Sequence, residues 1–222
     1  MIHSRQPAFC WGKYVALLVI FFVMMMSQLH SQEFYAGPLA GGAFTQVDGD
    51  RYAGYHRVGP VLGGFVGREI WPHWNAQMEI QYIQKGSRKY ADVEAGDDRD
   101  YSIQLDYIQF PLLMQYTRKS LSFEVGISIA SLLGFAEEAY FEAIPTDDQV
   151  PFKNIELATL LGINYHFTRN FWINGRMSYS VLPIREPYGG SIPVYDPHWD
   201  LQKPGQYNNV ITIALYYNLL TR

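Results

Sequence analysis

Apolar and polar residues alternate with a period of two through most of the chain, most clearly between Ile103 and Gly134. There Leu121, Phe123, Val125, Ile127 and Ile129 share one face, and Ser122, Glu124, Gly126, Ser128 and Ala130 share the other. Side chains of a strand point alternately to its two faces, so this pattern held for about ten residues is that of a tilted strand crossing a bilayer. With the preceding stretch, joined through the polar turn Thr117–Ser120, it forms a hairpin.

The hairpin repeats. Strands are expected over 34–45, 58–67, 74–85, 103–116, 121–134, 154–167, 171–182 and 208–220. Trp74, Ala76, Met78, Ile80 and Tyr82 alternate with Asn75, Gln77, Glu79 and Gln81, and Ile211, Ile213, Leu215 and Tyr217 with Thr212, Ala214 and Asn218. No segment keeps a 3.6-residue period over three turns, which excludes a helix bundle. Pro111 has no N–H for a ladder, so a β-bulge is expected there. The Gly-rich stretches 37–42 and 59–67 have no following helix and are read as closely packed strands rather than phosphate loops.

Connections run long, short, long, short, long, short, long. The long ones are 46–57, 86–102, 135–153 and 183–207, and the short ones centre on Arg68–His73, Thr117–Ser120 and Thr168–Asn170. Outer-membrane barrels show this asymmetry, with an even strand number, short periplasmic turns and longer outer connections. The expected fold is therefore all-β: an eight-stranded antiparallel up-and-down transmembrane β-barrel. A soluble lipocalin-like binding barrel would also alternate, but it would carry charge on its water-facing strand faces. The eight spans hold only Glu79, Lys85, Asp106, Glu124, Glu156 and Arg176. Their polar face is mostly Gly, Ser, Asn, Gln and Ala, which fits a narrow lumen, and the opposite face is large and apolar, as lipid requires.

Composition adds to this picture. Aromatic residues make up 16% of the 222-residue chain and charged residues 17%, below the roughly 25% of ordinary soluble domains. Trp71, Trp74, Phe171, Trp172, Tyr216 and Tyr217 lie beside the short turns and the last strand end, where they are expected to form an interfacial aromatic girdle. Before the first strand, Arg5 and Lys13 precede the apolar run Tyr14–Met26 and a polar exit at Ser27–Ser31. That order predicts a signal peptide over 1–31, cleaved before Gln32, and a barrel domain over 32–222. Cys10, the one cysteine, falls in the leader, so no disulfide or thiol chemistry is expected of the mature chain.

Candidate chemistry is sparse. Arg176, Glu124, Glu79 and Glu156 form an expected lumen charge network, with Arg176 paired to Glu124, Glu79 or both, because a buried charge without a partner is costly. The acidic run Asp92–Asp100 departs from the EF-hand pattern and reads as a solvated outer loop. Ser178, Ser180 and His166 could meet on adjacent strands as in a membrane hydrolase, but no nucleophile motif or acid partner accompanies them. No histidine pair has ligand spacing, so no metal, catalytic residue or cofactor is expected. A net charge of −4 gives no footprint for nucleic acid.

Several of these residues carry a family resemblance. Tyr82, Lys85 and Gly86 at the end of the third strand are followed by Leu105, Tyr107, Ile108, Pro111, Leu112 and Leu113, then Gly126 and the final run Asn209-Val-Ile-Thr-Ile-Ala-Leu-Tyr-Tyr217. Together they resemble the PorT-like outer-membrane β-barrels common in Bacteroidetes, over nearly the whole mature chain. The resemblance implies a non-enzymatic outer-membrane protein in contact with outer-membrane lipid. It also implies a structural or interaction role through the outer loops with other envelope or secretion proteins, such as that of a type IX secretion accessory. A small-solute pore is the alternative within the same fold.

Overall fold

The computed structural model describes residues 34–49, 54–91, 100–139, 142–143, 151–186 and 205–220. The expected signal peptide lies outside the described residues, as do 92–99 of the acidic run.

Every second residue of a strand buries on one side, and the chain satisfies both sides by closing the sheet on itself. The strands are β1 Phe34–Asp48, β2 Arg57–Trp71, β3 Trp74–Lys89, β4 Tyr101–Arg118, β5 Leu121–Ala139, the short β6 Glu142–Ala143, β7 Ile155–His166, β8 Phe171–Ser180 and β9 Tyr207–Tyr217. Around the barrel they run β4, β3, β2, β1, β9, β8, β7, β5, and β5 pairs back onto β4. All pairs are antiparallel, and β6 adds only to the end of β5. The result is a closed eight-stranded up-and-down barrel with one short extra ladder. Closure removes the unpaired edges an open sheet would expose.

The short connections are tight. His73 and Lys119 take left-handed backbone conformations (φ 72° and 56°) in their two-residue turns. Thr168 Oγ1 accepts from the backbone N–H of Phe171 at 3.0 Å to close the third. At the other end β3, β4 and β5 run 16, 18 and 19 residues, longer than the 10 to 12 of β7, β8 and β9. One wall therefore rises above the rest.

The outer surface of that wall changes character with height. Trp74 pairs with Tyr116, and eight residues further along β3, Tyr82 pairs with Ile108. Those steps climb about 20 Å at ~3.3 Å per residue and a tilt near 40°. Between the two pairs the outward side chains include Met78, Ile80, Phe110 and Leu112, all exposed. This matches the apolar band of roughly 25 Å on a membrane barrel. On β5 and β7 the band continues through Val125, Ile127, Ile129, Leu161 and Ile163, about half or more exposed although large and apolar.

Pro111 does not sit in a bulge. It pairs in register with Ser128 of β5, and the β3–β4 register is the same before and after it, from Gln81↔Gln109 to Met78↔Leu112. Pairing lapses only between those two points, where the missing N–H faces β3, so Pro111 removes one ladder bond without inserting a residue. The real irregularity lies higher in the β4–β5 ladder, on β5. There Asp106 and Tyr107 oppose Gly134 and Leu132, leaving Leu133 as the extra residue.

Two glycines mark close approaches. A Cβ on Gly67 would stand 2.3 Å from Cζ of the Tyr35 ring. Gly86 has φ +140°, and a Cβ there would meet the Ile103 carbonyl oxygen at 2.0 Å.

Candidate functional site in the barrel lumen

Inward-facing polar residues at every second position of β3, β5, β7 and β8 build the lumen in tiers. The lowest charged tier centres on Arg176 of β8. Its Nε donates to Glu124 Oε1 at 2.6 Å, while Nη1 and Nη2 grip Glu79 Oε2 and Oε1 at 2.8 and 3.0 Å. Such a fork suits a planar guanidinium. Glu124 also accepts from Asn164 (3.0 Å), Asn174 (2.9 Å) and Gln115 (3.1 Å), and Glu79 from Gln77 (2.7 Å) and Tyr216 (3.0 Å). All three charged side chains are nearly sealed from solvent. A buried pair stays charged only when its remaining lone pairs are satisfied, and here the amides do so.

Below this tier lies an aromatic plug. Trp172 stacks on Tyr216 with centroids 5.3 Å apart, and Phe65 packs against both at 5.1 and 5.3 Å. These two residues are thus corrected from the expected girdle: Trp172 and Tyr216 face the lumen, at 4% and 1% exposure. Period two forces the split, since the neighbours Phe171 and Tyr217 take the outer face. Phe171, Tyr217, Trp71 and Trp74 are exposed near the short-turn end, with Phe171 against Tyr217 at 5.2 Å.

The structure separates Glu156 from the Arg176 tier. Glu156 instead accepts both oxygens' bonds from Lys85 Nζ, at 3.1 and 3.0 Å, with further bonds from Ser180 (2.7 Å) and Asn208 (3.1 Å). Lys85 also lies over the Tyr107 ring, 5.2 Å from its centroid. Lys85 shares parity with Gln77, Glu79 and Gln81, so its inward direction was readable although its partner was not.

A third tier closes the end with the long connections. Arg185 makes a two-point bond to Glu137, each arm 3.0 Å, and Tyr101 donates to the same carboxylate. The Arg185 guanidinium covers the Phe152 ring at 4.4 Å, and Ile184 is fully buried beside it. Backbone bonds from Lys153 to Ile184 (2.7 Å) and from Ile184 to Gln206 (2.8 Å) hold this cap. Arg185 falls beyond the last periodic residue of β8, so alternation carries no signal for it. Across the tiers, Arg176, Lys85 and Arg185 face Glu79, Glu124, Glu156 and Glu137, one carboxylate in excess.

Ser178, Ser180 and His166 are not brought together. Ser180 serves Glu156, whereas His166 lies at the opposite end of the β7–β8 ladder, in register with Trp172. His166 Nε2 instead meets Ser122 Oγ at 2.9 Å, and Ser122 continues to Thr117 at 2.8 Å and Asn75 beyond it. Ser122 is fully buried in this chain. Among the described residues no group of three His, Cys, Asp or Glu could hold a metal ion.

The family model described as "Outer membrane protein beta-barrel domain" matches residues 26–185. Solved structures similar to the chain include Ail, the attachment invasion locus protein of Yersinia pestis, at 12% identity and TM-score 0.46, covering 84% of this chain and 99% of that one. Neisserial surface protein A is 13% identical (TM-score 0.43; 84% and 97% covered). OprG from Pseudomonas aeruginosa is 12% identical (TM-score 0.38; 85% and 95% covered). No curated relative matches the sequence.

Proposed function

The chain belongs to the outer-membrane protein β-barrel domain family and is integral to the outer membrane, and on that premise we propose that it is a closed, non-enzymatic anchor. Its work lies in presenting its long connections to other envelope proteins. The observation that carries this reading is the three-tiered filling of the lumen. A solute passing through would have to part Arg176 from two buried carboxylates, Lys85 from Glu156 and Arg185 from Glu137. Breaking one buried pair costs about 3–5 kcal/mol. The task then falls to the outer end, where the long connections carry Asp92, Glu94, Asp97, Asp98, Asp147 and Asp148. A partner with a basic face suits them.

Purified protein in planar bilayers should give no steady conductance, and discrete channels would overturn the anchor reading. The resemblance at Tyr82–Gly86 and Leu105–Leu113 favours a finer role as an accessory of protein secretion. Cross-linking in intact outer membranes should then capture secretion components, and recovery of the barrel alone would remove that role while leaving the anchor. A second reading, the small-solute pore, draws on the buried Tyr107 Oη and Gln109 Oε1, which have no hydrogen-bond partner. They sit at heights between Glu79 and Lys85 and make that section polar. The conductance measurement decides between the two.

A further inference from the structure

Above the apolar band, the outer wall of β3–β5 turns abruptly polar. Gln84 pairs with Asp106, Gly86 with Gln104 and Arg88 with Ser102, and Ser102 pairs in turn with Glu138. Their inward neighbours Ser87, Ile103 and Glu137 are buried in the lumen, so alternation turns Arg88, Ser102 and Glu138 outward. Each two-residue step climbs about 5 Å, placing these rows roughly 5–15 Å above the Tyr82–Ile108 level. A headgroup layer is roughly 5–8 Å thick on each leaflet, so the lowest of these rows falls within it and the upper two stand at its outer boundary and just above.

A cavity of about 190 Å³ opens in this wall, lined by Arg57, Arg88, Ser102, Gln104, Ala136 and Glu138. Sequence explains why it is hollow. Gly86 and Ala136 flank Gln104 in one row and fill little space. Arg57 reaches across from β2 over Gly86, where a Cβ would stand 3.0 Å from its Cδ. Its Nη1 donates to Ser102 Oγ at 3.0 Å and its Nη2 to Gln104 Oε1 at 2.7 Å, which aim the guanidinium along the wall. The Arg88 guanidinium rests on the Tyr90 ring, 4.7 Å from its centroid.

Neither arginine lies within ion-pair distance of a carboxylate among the described residues. The Nε atoms of both are buried without a hydrogen-bond partner. Two guanidiniums held together at one cavity repel each other, and an anion between them would relieve that repulsion. Glu138 puts a negative charge on the same cavity, which disfavours a simple anion and favours a group bearing both signs.

We infer that this cavity is a headgroup site for a phosphate ester carrying a primary amine: the phosphate lies between Arg57 and Arg88, and the ammonium lies against Glu138. Phosphoethanolamine is the probe of that chemistry. Its source is a lipid lying against the apolar band or the free headgroup. The site rests on the wall facing lipid and is independent of whether the lumen conducts.

The full-length purified barrel, reconstituted in nanodiscs, is released into native mass spectrometry after exposure to equal amounts of phosphatidylethanolamine, phosphatidylglycerol and phosphatidylcholine. Phosphatidylethanolamine should be retained about tenfold over each of the others, as expected when a charge-assisted hydrogen bond is gained. Arg57→Gln with Arg88→Gln should abolish retention of all three. Glu138→Gln should keep phosphate retention and lose the preference for the primary amine, a signature that unfolding cannot give. Heat-modified gel mobility reports the fold of each variant. Soluble phosphoethanolamine that competes at millimolar concentration would make the free headgroup sufficient, and failure to compete would place recognition on the whole lipid. Equal retention of the three lipids, or retention unchanged in the folded double-arginine variant, overturns the site.

Discussion

Arg176 shows how much one inward residue carries. It pairs with two carboxylates that have no other cation within ion-pair distance among the described residues, and its own burial is repaid only because both accept from it. Arg176→Met would leave Glu79 and Glu124 facing each other in a sealed tier. The expected cost is about 3–5 kcal/mol, the usual penalty for stranding one half of a buried pair. Urea unfolding of the refolded barrel should show it as a lower midpoint. Adding Glu79→Gln and Glu124→Gln to Arg176→Met should recover a large part of the loss, because an uncharged tier has nothing to strand. A triple variant no more stable than the single one would mean that packing, not charge, sets the cost. At this scale the sequence also has a limit, visible at adjacent positions in the aromatic pairs Phe171–Trp172 and Tyr216–Tyr217. Trp172 and Tyr216 lie beside the short turns as the sequence suggests, yet nearness to a turn says nothing about face. Parity does, and it sends them inward against Phe65.

Among elements, β5 was the most legible, since Leu121 to Ile129 alternate without interruption and its register with β4 and β7 is unbroken there. Legibility of this kind has a physical source: one face must dissolve in lipid and the other must fit a narrow lumen, so each residue is constrained by side. The constraint fails where the environment stops being two-sided. Above the band, outward residues become polar and periodicity disappears from the sequence, although β3, β4 and β5 continue as strands beyond 85, 103 and 134, to Lys89, Tyr101 and Ala139. A proline also misleads at this scale. Pro111 looks like a break, but losing a single donor needs no change of register, while the bulge at Leu133 has no proline or glycine beside the shift except Gly134. The height of the band is itself testable on β5. Ile127→Arg, in the middle of the band, should cost about 2–4 kcal/mol, and Ser131→Arg, level with Ile108 at its upper edge, about 0–1 kcal/mol. Equal costs from urea titration in liposomes would mean the band is misplaced on this strand.

For the whole molecule, the decisive property is whether water reaches the middle of the lumen, and the chain supplies a clean way to ask. Cys10 is its one cysteine and precedes Gln32, so a barrel expressed from Gln32 carries no competing thiol. Ser128 faces inward on β5 at 1% exposure, in register with Pro111 and therefore near the height of Glu79. From the short-turn end a reagent would meet Trp172, Tyr216 and Phe65. From the other it would meet Ile184, Phe152 and the Arg185–Glu137 pair, then Lys85 with Glu156. Ser128→Cys should accordingly stay unreactive toward a charged methanethiosulfonate in the folded barrel and react once the protein is unfolded in urea. Opening the cap with Glu137→Gln and Arg185→Gln should leave it unreactive, because the Lys85–Glu156 tier still stands beneath. Removing Lys85 and Glu156 as well, as Lys85→Met with Glu156→Gln, should expose it and raise the labelling rate by at least about tenfold, the change expected when a barrier of some 1.4 kcal/mol is lost. Rapid labelling of Ser128→Cys in the otherwise unaltered barrel would show that the tiers part at ordinary temperature, and the long connections would then be the mouth of a path rather than the platform of an anchor.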